Sequence, residues 1–310
     1  MNIRSKILIW ACKLFTLPKG DAELNDINCE YDISCVINFY GRPRLLENAL
    51  FCLASQDLSK ERFEVVLVED RGGTIEGEEI AKRFGVVLDI KYFKIQDNFS
   101  KLGFSRNLGL SKAKGRYVLF LDDDTVILQN NFLSVLIDEF HTSKAETIVP
   151  FGSASYCLRQ KKYDFHDPYF PANRCIAYSR ESLKDLGGFV SDVIGQEDVE
   201  FIIRFLASGR KFHNSTRLHY LHPPFILNNL NKAFAVGISF ARLKKRYPFI
   251  IWMMILLNGS RYAPLMIMPF NKKWKTQAKF SIGFLIGAIY SITGKTLDCK
   301  YEDSETPLSI

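Results

Sequence analysis

Three short, predominantly apolar runs punctuate the first half of the chain: Ile33 to Phe39, Phe63 to Val68 and Tyr117 to Leu121. Each is short and rich in aliphatic and aromatic residues, so each reads as a strand, and Tyr117 to Leu121, apolar throughout, as a buried one of parallel type. Between them, apolar positions recur at helical spacing over 44–55, 76–84 and 103–112, and a further strand falls near 86–93. Gly72-Gly73 and Lys114-Gly115 supply turns. Helices over about 128–140 and 197–207 continue the pattern. Strands alternating with helices predict the α/β class, with a Rossmann-like, mostly parallel central sheet flanked by helices.

Outside this stretch the apolar pattern changes character. Ile3, Ile7, Trp10 and Leu14 fall at helical spacing near the amino terminus. Lys13 interrupts the run and no small-residue cleavage site follows, so a short surface or membrane-touching helix is predicted in preference to a secretory signal. Toward the other end, the apolar stretches 249–257 and 262–270 are split by Asn258 to Arg261 and punctuated by Pro248, Pro264 and Pro269. Neither half spans a bilayer alone, and Arg261 argues against a hairpin crossing. A third stretch, 280–292, is about one leaflet long. The expected organisation is an amphipathic helix and linker over 1–29, a catalytic domain over 30–225, a basic, apolar helical region over 226–297 and an acidic tail over 298–310.

Charge sharpens that division. No Asp or Glu occurs from Phe201 to Leu297, whereas 15 of the 41 Lys and Arg lie there, so the remaining 26 face all 34 acidic residues elsewhere. Such segregation points to an anionic partner surface. Lys272, Lys273, Lys275 and Lys279 surround Trp274 between apolar stretches, which predicts helices in the interface of an anionic membrane and excludes nucleic acid as the partner. A buried helical subdomain with solvated lysines is the competing reading. The seven cysteines (12, 29, 35, 52, 157, 175 and 299) are odd in number and contain no C-x-x-C pair, and they read as reduced core residues.

Candidate chemistry gathers where strands end. Asp122, Asp123 and Asp124 follow the Tyr117 to Leu121 run, and Glu69-Asp70 follow the second strand. In open α/β sheets ligands bind at the carboxyl ends of strands. Asp122 and Asp124 share one face of extended backbone and suit a hard divalent ion, while Asp123 points elsewhere. A helix cap at Asp124 or Thr125 is the competing explanation. Glu197-Asp198, after Leu186-Gly-Gly-Phe189, open a helix as dipole-complementing acids or as a general base. No G-x-G-x-x-G or G-x-x-x-x-G-K-[ST] occurs, which argues against a dinucleotide-binding dehydrogenase and a P-loop ATPase.

Five blocks in order resemble the family-2 glycosyltransferases of the GT-A fold: Val36-Ile-Asn-Phe-Tyr-Gly-Arg42, Phe63 to Asp70, Ser105-Arg-Asn-Leu-Gly109, Gly115 to Asp124, and Leu186-Gly-Gly-Phe189 with Glu197-Asp198. The resemblance implies a metal-dependent, inverting, hexosyltransferase-type enzyme. Its donor would be a nucleotide-diphosphate sugar, taken as a UDP-sugar, and its cofactor Mn²⁺ or Mg²⁺. Asp70 and Tyr40 match the residues around the nucleotide base, and Arg106 and Asn107 the block beside the sugar and diphosphate. Asp122 and Asp123 are grouped with these donor contacts. Asp122, Asp124 and His222 match the metal ligands, with His219 the competing histidine, and Asp198, with Glu197 beside it, matches the catalytic base. Asn38 and Phe39 depart from the Pro-Thr usual in the first loop. The implied acceptor is a glycan, lipid-linked, reached by a peripheral enzyme at the cytoplasmic face of the inner or plasma membrane during cell-surface polysaccharide assembly. A noncatalytic sugar-nucleotide-binding module and a sugar nucleotidyltransferase are the alternatives.

Overall fold

A computed structural model describes residues 3–26, 28–154, 174–222, 230–267 and 272–293. The chain divides into two compact units, Met1–Phe225 and Ile226–Ile310. The expected acidic tail over 298–310, Cys157 and Cys299 lie outside the described residues.

The first unit begins with helix α1 (Ile3–Cys12) and continues β1 (Tyr31–Phe39), α2 (Pro43–Ala54), β2 (Phe63–Glu69), α3 (Ile75–Phe84), β3 (Ile90–Lys94), α4 (Leu102–Lys112), β4 (Gly115–Asp122), α5 (Phe132–Ser143), β5 (Thr147–Ala154), β6 (Cys175–Ser179), α6 (Arg180–Asp185), α7 (Glu197–Ala207) and β7 (His213–His222). The seven strands form one sheet in the order β3-β2-β1-β4-β6-β5-β7. Only β6 runs against its neighbours, so the sheet is mostly parallel. The carboxyl ends of β1, β2, β4 and β7 therefore share one edge.

The apolar runs place the strands where burial requires. All seven residues of β2 are buried, and Phe63, Val65 and Leu67 share one core with Leu46, Leu50, Phe132 and Leu136 from flanking helices. Glu64 lies within that run and is fully buried, yet its carboxylate accepts hydrogen bonds from Ser34 Oγ (2.6 Å), the Lys114 amide (2.5 Å) and Lys91 Nζ (2.6 Å). A buried charge of this kind is tolerated because it is paired and hydrogen-bonded.

Two boundaries differ from the sequence pattern. The third strand starts at Ile90, because the Val87 and Leu88 amides bond back to the Phe84 carbonyl and close the turn after α3, leaving Val86 and Val87 exposed. Helix α5 starts at Phe132, with Asn131 at its cap position. Val126 instead pairs with Leu221 through reciprocal backbone bonds of 2.9 and 2.8 Å. Asp124 and Thr125 thus cap no helix. Among the described cysteines, Cys12, Cys35 and Cys175 are buried free thiols and Cys52 is half-buried, but Cys29 is exposed, which corrects the expectation that all are core residues.

In the second unit, α8 (Leu230–Arg242), α9 (Phe249–Ser260) and α10 (Lys272–Ile292) are joined by short 3-10 turns. Helices α8 and α10 approach closely because Gly237 lies against the Phe284 carbonyl and Gly287 against that of Phe234, where a methyl group would overlap backbone. Phe249, Ile250, Leu257, Ile267, Ile286 and Ile289 remain exposed. The 19-residue segment Phe249–Ile267, α9 with its following turn, is long and apolar enough to cross a membrane by length and composition.

Leu67→Ala in β2 is expected to destabilise the first unit by about 2–5 kcal/mol, because the site is sealed on both faces and collapses poorly around a cavity. Urea denaturation measures this, and a shift within error of zero would contradict the burial described.

Candidate active site

The chain builds β1, β2 and β3 outward on one side, then returns across β1 to lay down β4, so strand order reverses between β1 and β4. Asn38 in β1 stands opposite Asp122 in β4 at that point. Open α/β sheets place their ligand crevice there. β4 ends at Asp122, and Asp123 and Asp124 lie in the turn that the Thr125 amide closes onto the Asp122 carbonyl (3.1 Å), where Asp123 is fully buried. The Arg42 guanidinium forks onto Asp123, with Nε 3.1 Å from Oδ2 and Nη2 on Oδ1, and its Nη1 lies 3.0 Å from Asp124 Oδ2. Asp123, expected among the donor contacts, is therefore held by a cation of the protein itself.

His222 reaches the same place from the far side of the sheet. The Val126–Leu221 bridge draws the end of β7 beside the loop that carries the aspartates. His222 Nε2 lies 2.9 Å from Asp124 Oδ1 and 3.6 Å from Asp122 Oδ2, and one ligand atom from each of the three residues falls within 4.8 Å of the others. Burial opposes ionisation of Asp122 and Asp124, but hydrogen bonding to His222, with the Arg106 charge at Asp122 and the Arg42 charge at Asp124, holds both carboxyls below their ordinary range. Burial also opposes the imidazolium, yet Asp122 and Asp124 carry His222 up to about 9. Two carboxylates and an imidazole form an oxygen-rich donor set with one borderline nitrogen, which fits Mn²⁺ and admits Mg²⁺. His219 is elsewhere: its Nε2 lies 2.7 Å from Ser153 Oγ and its ring stacks on Phe151.

Arg106 links this cluster to the start of α7. It is 3% exposed, its Nε donates to Glu197 Oε1 at 2.5 Å and its Nη2 to Asp122 Oδ1 at 3.2 Å. Glu197 is equally buried. Burial pushes its carboxyl up, to about 7, against the pull of Arg106 and with the push of the neighbouring Asp198 charge. Asp198 is half-buried and accepts from the Val199 amide (2.8 Å). Gln196, in the left-handed region at φ 59°, sets the direction in which α7 begins. Of the two acids, Asp198 is the one within reach of solvent.

Asn107 is occupied differently from its expected place beside the donor. Its amide donates to the Phe189 carbonyl (2.8 Å) and Ser191 Oγ (3.1 Å) and accepts from the Phe189 amide (2.9 Å). Arg204 bonds to the Leu186 and Gly188 carbonyls of the same turn. Together they clamp the Leu186-Gly-Gly-Phe189 loop, whose glycines sit at φ 69° and 59°.

At the end of β2, Asp70 accepts from the Arg71 and Ser100 amides, each at 2.8 Å. The backbone around it is left-handed at Arg71, Asn98 and Ser100 and positive at Gly72 and Gly73. Tyr40 is partly exposed, and the Arg71 guanidinium stacks over its ring at 4.5 Å. The Asp70 amide bonds to the Phe39 carbonyl (3.1 Å), so an aromatic ring and a carboxylate stand at adjacent strand ends, a stacking face and an acceptor of the kind a planar heterocycle uses. Sequence reasoning gave no role to Arg42, Arg71 or Ser100. The only signal for them was position, each lying within a few residues of a strand end.

Residues 34–163 match the family model described as Glycosyl transferase family 2. Over those residues the chain resembles the family-2 glycosyltransferases, and it has the GT-A fold. Over 292 residues it is 25% identical to the chondroitin synthase of Pasteurella multocida strain Pm70, a match covering 78% of this chain and 30% of that protein. The chain thus spans under a third of this relative's length. Its fold is similar to that of the mannosyltransferase PcManGT from Pyrobaculum calidifontis in complex with GDP-Man and Mn²⁺, at TM-score 0.62 and 14% identity, covering 94% of this chain and 96% of that one. It is also similar to S. aureus TarS 1-349 in complex with UDP-GlcNAc, at TM-score 0.55 and 15% identity over 85% and 92% of the two chains.

Arg106→Met is expected to destabilise the protein by about 3–5 kcal/mol, since it leaves Glu197 and Asp122 without their shared buried cation. Adding Glu197→Gln should recover part of that loss. Urea unfolding of both variants reads the coupling, and equal losses in the single and double variants would show that Arg106 acts on something other than Glu197.

Proposed function

We propose that this protein is a metal-dependent, inverting glycosyltransferase that moves a sugar from a nucleotide-diphosphate sugar, a UDP-sugar, to a hydroxyl of a lipid-linked glycan at the cytoplasmic face of a membrane, in cell-surface polysaccharide synthesis. The observation that carries this reading is the convergence of Asp122, Asp124 and His222 at the strand-reversal crevice, joined through Arg106 to the helix that begins Glu197-Asp198. Asp122, Asp124 and His222 would hold the Mn²⁺ or Mg²⁺, which when bound neutralises charge developing on the leaving diphosphate.

The other residues divide the remaining work. Tyr40 and Asp70 receive the base, with Arg71 moving off the Tyr40 ring or stacking on the base itself. Arg42 holds Asp123 and Asp124 so that the crevice keeps its shape when charges enter. Asp198 takes the proton from the acceptor hydroxyl as that oxygen attacks the anomeric carbon from the face opposite the diphosphate. One displacement of this kind inverts the anomeric centre. Arg106 and Glu197 fix α7 and so aim Asp198. Asn107 and Arg204 serve the same end by fixing the loop before it.

The lipid-linked acceptor is supported by the helical second unit, where exposed Phe249, Ile250, Leu257 and Ile267 accompany Lys275 and Lys279 and no acidic residue occurs up to Leu297. Apolar side chains with adjacent basic residues suit the interface of an anionic membrane.

Asp124→Ala and Asp198→Asn should each lower transfer by about a hundredfold or more, but for different reasons. With UDP and Mn²⁺, Asp198→Asn should keep the thermal stabilisation seen in the wild type, whereas Asp124→Ala should lose it. The nucleotide product should be UDP. Release of pyrophosphate would replace this reading with a nucleotidyltransferase, and wild-type rates in Asp198→Asn would remove the assigned base.

A further inference from the structure

Helix α1 has two apolar faces, and the fold uses only one of them. Leu8, Ile9 and Cys12 are buried, on the side that packs against α7 within the first unit. On the opposite side Ile3, Ile7 and Trp10 are 74%, 51% and 64% exposed, and Leu14, in the turn that closes onto Ala11 and Cys12, is 63% exposed. Steps of four, three and four residues put these four side chains on a single stripe. Apolar residues scattered singly over a surface need no explanation, but an ordered stripe including a tryptophan does.

The charges beside the stripe identify what covers it. Lys6 and Lys13, two turns apart, flank one edge, and Arg4 flanks the other. All three are exposed, and among the described residues no acidic side chain pairs with them. No acidic residue precedes Asp21 in the sequence. A protein partner or a second copy of this chain would need acids facing three cations around an apolar strip, and the corresponding strip of a second copy offers only more cations. An anionic lipid surface supplies both halves at once: acyl chains for Ile3, Ile7, Trp10 and Leu14, and headgroups for cations on flexible stems.

We propose that α1 lies in the interface of an anionic membrane, gripped by α7 on one side and by lipid on the other. The stripe belongs to the first unit, and the docking itself stands on α1 alone. Its consequence rests on the glycosyltransferase reading. Helix α7, the neighbour of α1, begins with Glu197-Asp198, so a docked α1 holds the helix carrying the proposed base close to the lipid surface from which a lipid-linked hydroxyl would approach. Eleven residues make α7 about 16 Å long, so the base and the lipid-bound helix lie within a small distance of each other along one rigid element.

The test is flotation of the full chain with vesicles of equal parts phosphatidylcholine and phosphatidylglycerol, beside vesicles of phosphatidylcholine alone. Wild type should float with the anionic vesicles. Ile7→Glu/Trp10→Glu should lower its partition coefficient about a hundredfold, and Lys6→Glu/Lys13→Glu about tenfold, the latter with little change on neutral vesicles. Both variants alter outward-facing side chains, so their thermal midpoints and their turnover of donor with a water-soluble acceptor should match wild type. Unchanged flotation of Ile7→Glu/Trp10→Glu would overturn the proposal, as would a wild type that does not float. A wild-type dimer that this variant converts to a monomer by light scattering, with flotation unchanged, would reassign the stripe to self-association. Failure of donor turnover in every form, with flotation behaving as expected, would strike the glycosyltransferase reading and leave the docking helix intact.

Discussion

A carboxylate can be buried only in company, and around the crevice of this protein the company is two arginines. Arg106, sunk beneath the crevice, bonds to Asp122 on the last residue of β4 and to Glu197 on the first residue of α7. Asp198 adds its charge to the same neighbourhood, so one cation answers to several acids. Arg42 does the equivalent for Asp123 and Asp124 from the loop after β1. These two guanidiniums let an acidic rim form on a dry sheet end without forcing its strands apart. They also make the rim a unit, since neither the strand end nor the helix start can move without uncovering the other's charge.

Regular structure was legible where burial alone decides it. The predominantly apolar runs of β1, β2 and β4 suit the middle of a covered sheet, and their positions in the sequence are their positions in the fold. Boundaries that depend on partners far along the chain were not legible. The helix expected from about residue 128, with Asp124 or Thr125 as a possible cap, begins instead at Phe132, and Val126 before it is claimed by Leu221. The same limit governs β3, where Val86 and Val87 carry strand propensity that the helix-closing turn overrides.

The site divides along the same line. The expected separation of Asp123 from Asp122 and Asp124 rests on extended backbone, whereas β4 ends at Asp122 and a turn carries the other two. The identity of Asp123's partner is another matter, because Arg42 sits in a loop where charge is cheap and meaning scarce. Asn107 is the converse case: a residue type and position suggestive of ligand contact, yet its amide is committed to the loop after α6. A side chain's neighbours in sequence suggest its chemistry far better than they fix its partner.

The bridge between Val126 and Leu221 has a consequence for the order in which the molecule becomes competent. Asp122 and Asp124 enter the chain about a hundred residues before His222, and they stand at the end of a strand that can form with β1 and β2 alone. His222 arrives only when β7 has joined the far edge of the sheet and its end has crossed to the loop beyond β4. Contacts of such long sequence separation close late, because loop entropy opposes them until their neighbours are in place. The three-residue cluster is thus a seal on a finished sheet: partly folded chains carry both aspartates but lack the imidazole, and only the completed topology brings the three together.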